Sequence, residues 1–192
     1  MTTDGGGWTL IFKHSTGFQT NVLNEYLYGN MNNEKYLNKS KNGDISLKYF
    51  RENWSKYSQA LIYVTKNNTV AKYMKYSLVG TSYTNFYSKS HLISSSWKDL
   101  MTEQQNFYSI YGDMYNNIYN NNRFFLINRI YAGCPNDTGW LVIVSKENDD
   151  ACKGIWKYTN YGDIIYSNKD FYQNYTKGDV LLADAFMIFV KE

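Results

Sequence analysis

Two cysteines, and the acidic segment between them, are where this sequence is best equipped for chemistry. Cys134 and Cys152 are the only cysteines in 192 residues. They form an even pair with no histidine near either, which predicts a disulfide rather than a metal or redox centre. Two buried free thiols are the alternative. Glu147-Asn148-Asp149-Asp150 stands just before the second cysteine, and Asp137 follows the first. Carboxylates and amides at this density supply the oxygen donors that a hard cation takes. Asp137, Glu147, Asp149 and Asp150 are therefore a candidate Ca2+ site, drawn together by the disulfide. Their spacing is not that of a helix-loop-helix calcium loop, and a solvated turn is the competing reading.

Aromatic residues flank the same loop. Trp140, Trp156, Tyr158 and Tyr161 lie on either side of it, and a shallow polar site with an aromatic platform is what sugar binding requires. Core packing is the alternative for each ring, above all for Trp140 inside its apolar run. Catalytic patterns do not emerge: there is no Gly-x-Ser-x-Gly elbow, no His-Glu-x-x-His and no Gly-x-x-x-x-Gly-Lys. The Gly5-Gly6-Gly7 run precedes a strand, so it lacks the helix end that holds phosphate. His14 and His91 each stand alone in sequence, and a lone histidine reads as a structural or surface residue. No enzyme is expected.

The elements that position these groups belong to one domain spanning residues 1–192. A 43% hydrophobic, 18% aromatic chain has enough apolar surface for a real core. A net charge of +3 without a basic cluster argues against nucleic acid, and no apolar run is long enough for a membrane span. Twenty tyrosines accompany abundant Asn and Lys. That reflects either a compositional bias of the source or a surface that uses tyrosine for binding. Asn-x-Ser/Thr sequons at Asn38, Asn53, Asn67, Asn136 and Asn174 are compatible with secretion.

Short runs of β-branched and aromatic residues predict strands at Trp8–Lys13 and Ala60–Thr65, the second ending at the turn-forming Lys66-Asn67-Asn68. Met74 to Val79 would return antiparallel to it. Continuous apolar runs at Phe124–Ile130, Trp140–Ser145 and Ala185–Val190 read as strands buried on both faces. Helices are expected at Asn21–Tyr28, Ser46–Trp54 and Ser96–Leu100, and Tyr108–Asn122 reads as a long polar loop. The predicted class is α+β, a central mostly antiparallel sheet with few short helices.

The opening "MTTDGGGWTLIF" resembles the Cys-Asp-Met-x-Thr-Asp-Gly-Gly-Gly-Trp-Thr segment of fibrinogen-related domains and intelectin-like lectins. In that setting the glycines turn the chain into the sheet and Trp8 anchors the strand in the core. The ending "ADAFMIFVKE" is similar to the family's closing strand, and "GWLVIV" before Cys152 to its late cysteine-bounded region. The family's Asp-x-Asp calcium pair and the intelectin pocket histidines have no counterparts here. The resemblance implies a fibrinogen-like fold with an N-terminal lobe upstream. It also implies a secreted, extracellular, non-enzymatic lectin that binds glycans or glycoproteins in adhesion, self-recognition or innate immunity. An adhesive or structural protein, with tyrosines spread over its surface and no discrete sugar site, is the alternative.

Overall fold

The computed structural model describes residues 6–17, 21–29, 43–112, 123–144, 152–157 and 160–192. In chain order these hold β1 (Thr9–Ser15), α1 (Val22–Tyr28), β2 (Ile45–Ser46), α2 (Lys48–Glu52), β3 (Gln59–Lys66), β4 (Thr69–Ser77), β5 (Leu92–Ser95) and β6 (Phe107–Ser109). They continue with β7 (Arg123–Ile130), β8 (Thr138–Val144), β9 (Ile164–Ser167), β10 (Gln173–Asn174), β11 (Val180–Leu182) and β12 (Ala185–Lys191).

Two antiparallel sheets result. The first runs β2-β1-β12-β3-β4-β5, and the second runs β11-β9-β8-β7-β6 with β10 paired to β8. The β3–β4 hairpin turns on Asn67 and Asn68, whose φ values of 52° and 61° are the left-handed pair that a two-residue hairpin demands. Phe12, Ile62, Met74, Tyr76, Phe186 and Ile188 of the first sheet meet Phe125, Ile127, Leu141, Ile143 and Tyr166 of the second in one buried core. Phe125 stacks on Phe12 with centroids 6.0 Å apart and packs on Phe186 at 4.7 Å.

The far face of the second sheet is covered as well. Leu126, Val142, Val144 and Ile165 point away from the main core into a second cluster with Cys152, Trp156, Tyr175 and Val180. Apolar residues on both faces explain why β7 and β8 are continuous apolar runs rather than alternating ones.

The α+β expectation is corrected by this architecture: the protein is mostly β, a sandwich-like pair of antiparallel sheets. The helical signals were weak for identifiable reasons. Helix α1 has seven residues under an Asn21 cap, α2 has five and no side-chain cap, and helices so short depend on tertiary packing. Ser96–Leu100 forms turns, with the Ser96 hydroxyl accepting the Tyr73 N–H of β4 instead of capping a helix. Trp8 also differs from expectation. It is half-buried beside the sheet, with the Lys75 and Lys191 ammoniums 5.9 and 5.8 Å from its ring, and not in the core. Among the described residues, no helix is long and apolar enough to cross a membrane.

Candidate functional site

At the outer side of the second sheet, Cys134 and Cys152 form the disulfide that their pairing predicts. The bridge pins the Cys152–Trp156 turn against β7 and β8. Trp156 donates its indole N–H to the Cys134 carbonyl at 2.8 Å and packs on Tyr175 with centroids 4.6 Å apart. The Arg123 guanidinium lies 4.4 Å from the Trp156 ring, reaches the Cys152 sulfur at 2.8 Å, and donates to the Tyr131 hydroxyl at 2.8 Å. Burial raises the Tyr175 phenol above its ordinary value, so that ring is a neutral core group.

The sequence-predicted residues divide sharply. Trp140 is 0% exposed, its indole N–H held by Asp99 at 2.7 Å, and Trp156 is 2% exposed. Both indoles therefore support the sheet from within. Tyr161 is half-buried, with the Lys153 ammonium 4.7 Å from its ring. Asp137 is buried, and its carboxylate accepts the Ala132 N–H at 2.7 Å, closing the turn that carries Cys134. Tyr158, Glu147, Asp149 and Asp150 lie outside the described residues. Sequence reading missed Tyr131, an exposed ring joined to the disulfide through Arg123. No motif marks it: Arg123 opens β7 and Tyr131 follows its last residue, eight positions on. The aromatic rings that the disulfide-clasped end presents outward are thus Tyr131 and part of Tyr161, beside the exposed Ile130, Lys153 and Ile155 and with the exposed Asn136 and Asn160 nearby in the chain.

A second cluster gathers where β1, α1 and the approach to β2 meet. His14 near the end of β1, Glu25 in the first turn of α1 and Asp44 just before β2 bring one potential ligand atom each to within 4.8 Å of one another. His14 Nε2 is 3.0 Å from the Gly162 carbonyl, and Nδ1 is 3.3 Å from Asp44 Oδ2. Burial works against a charge on Asp44. Hydrogen bonding with His14, the field of that imidazole, the Ser15 N–H and a hydrogen bond shared with Glu25 outweigh it and hold the carboxyl below its ordinary value. The three residues could hold a metal ion. A partial signal for them existed in the sequence: His14 is two residues from Phe12 and so shares its inward face.

No protein-family model, no curated protein and no solved structure matches this chain.

Proposed function

We propose that the chain is a secreted, non-enzymatic recognition module that binds carbohydrate, on glycans or glycoproteins, at the disulfide-clasped end of its second sheet. The observation that carries this reading is the distribution of tyrosine. Among the described residues only Tyr28, Tyr49, Tyr73 and Tyr131 are exposed. An adhesive surface would need most of the rings outside, whereas a lectin needs a few next to polar groups. Tyr131 and Tyr161 meet that need, the first hydrogen-bonded to Arg123 and the second under the Lys153 ammonium. The disulfide supports an oxidising, extracellular compartment. The resemblance of the opening segment to fibrinogen-related and intelectin-like lectins supports the same class, on sequence grounds alone. Calcium belongs to this reading as a co-ligand of sugar hydroxyls at Glu147, Asp149 and Asp150, next to Cys152.

The test is a glycan-array screen of the folded protein with and without Ca2+, followed by titration of the best ligand. Tyr131→Ala and Tyr161→Ala should each lower affinity roughly fivefold, corresponding to about 1 kcal/mol of ring contact. Retention of no glycan in either condition, or wild-type affinity in the double variant, would overturn the proposal.

A further inference from the structure

We propose that His14, Glu25 and Asp44 form a binding site for one Zn2+ ion. The imidazole carries the argument. Its side chain is fully buried, and Nε2 lies 3.0 Å from a backbone carbonyl, which can only accept. Nε2 therefore bears the hydrogen and Nδ1 is directed at the carboxylates. Nδ1 faces Asp44 Oδ2 at 3.3 Å, in ion-pair range but without good hydrogen-bond geometry. A bare Nδ1 lone pair facing a carboxylate at that distance would be repulsive, so a proton or a metal ion has to lie between them.

The separation itself fits a tetrahedral ion. Two ligands each about 2.05 Å from zinc and subtending a tetrahedral angle stand about 3.3 Å apart, the spacing found between Nδ1 and Oδ2. Glu25 adds a second carboxylate, already in hydrogen-bonding contact with Asp44. Two carboxylates so placed require a shared proton or a shared cation. With Nε2–H fixed, the deprotonated set carries two negative charges, and one divalent ion cancels them inside the protein. A nitrogen donor with two carboxylates suits zinc, whereas calcium takes six or more oxygens.

The outer contacts are those that orient ligands. The Gly162 carbonyl fixes the imidazole tautomer, and the Ser15 N–H occupies Asp44 Oδ1 at 2.8 Å, directing Oδ2 to the ion. An ion here would fasten α1 and the approach to β2 onto β1. Through His14 it would also reach the Gly162 turn that leads into β9 of the opposite sheet.

The experiment uses the full chain after chelator treatment, with Zn2+ alone titrated by calorimetry, Co2+ followed by its visible ligand-field bands, and Ca2+ in parallel, all without glycan. One Zn2+ per chain, a raised Tm and tetrahedral Co2+ bands are expected. His14→Ala and Glu25→Gln should each weaken Zn2+ at least about 100-fold, the upper range for loss of even an outer contact. Glu25→Gln keeps the size and hydrogen bonding of a half-buried side chain, so it remains informative if His14→Ala does not fold. Absence of Zn2+ binding, preference for Ca2+, or wild-type Zn2+ affinity in Glu25→Gln would overturn the assignment. Glycan binding is not read in this experiment, so its outcome is separate from the lectin proposal.

Discussion

Asp99 and Trp140 provide the most direct test of whether the disulfide-flanking aromatics are structural. The Asp99 carboxylate accepts the Trp140 indole N–H at 2.7 Å and the Tyr172 backbone N–H at 3.0 Å, joining β8 to two surface turns. Asp99→Ala strands both donors, and at about 1–3 kcal/mol for each unsatisfied group the expected loss is about 2–6 kcal/mol. Trp140→Phe keeps most of the apolar volume but removes one donor, for an expected loss of about 1–2 kcal/mol. Because the two residues share one hydrogen bond to a charged acceptor, the double variant should fall short of additivity by about 1.5–3 kcal/mol. Urea unfolding of all four proteins measures this coupling, and glycan titration of folded Trp140→Phe should match wild type. A coupling below about 0.5 kcal/mol, the ordinary scatter of independent sites, would refute the reasoning. So would a Trp140→Phe variant of unchanged stability that has lost its ligand, since the ring would then be working at the surface.

Removing the disulfide with Cys134→Ser and Cys152→Ser frees a loop with a sequence separation of 18. It should cost about 3 kcal/mol on the chain-entropy account, read from unfolding midpoints; thiols that alkylate in the unreduced, denatured wild type would refute the pairing. Gly139→Ala should unfold the protein or cost at least about 3 kcal/mol, because a Cβ there would overlap the Tyr175 hydroxyl and the Ile127 carbonyl. Acid should act through Asp170, whose carboxyl is held below the ordinary value of 3.8 by its hydrogen bonds with Lys98 and Lys72. A depressed carboxylate stabilises the fold above its unfolded value and loses that contribution as pH falls through its folded value. Tm should therefore drop below about pH 4 by less in Asp170→Asn than in wild type, and equal acid sensitivity would refute the linkage.

How far the sequence could be read depended on how local each cause was. The runs at β7, β8 and β12 were legible because full burial leaves a continuous apolar string. The Asn67-Asn68 turn was legible because left-handed backbone selects asparagine. Ile164–Ser167 went unread because four residues show no period, although β9 pairs with both β8 and β11. Ser96 was misread because a serine before an apolar residue serves a strand partner as readily as a helix cap, and only the position of Tyr73 decides between them. The site fared likewise. The cysteine pairing followed from counting, while Tyr131 acquires its place from Arg123, eight positions earlier at the start of β7. The His14 cluster depends on a contact with Asp44 across 30 positions of chain and on a carbonyl 148 residues away.

The abundance of tyrosine has a physical consequence whatever its origin. A buried phenol needs a partner for its hydroxyl, and here the partners are built into the backbone: Tyr26 donates to the Tyr83 carbonyl at 2.6 Å and Tyr87 to the Phe125 carbonyl at 3.0 Å. Tyr76 and Tyr108 pair with each other at 2.6 Å. The Phe125 acceptor exists because that residue adopts φ 49° inside a register shift of β7, which takes its carbonyl out of the regular ladder. A left-handed phenylalanine costs about 1–2 kcal/mol, and it is held by ring contacts with Phe12, Tyr26, Tyr87 and Phe186. Phenylalanine in place of Tyr87 would therefore strand the bulge carbonyl that the strain makes available. The same hydroxyls that make tyrosine a good surface ligand here fix the packing of the two sheets, so under the proposed reading recognition falls to the few rings that the core leaves outside.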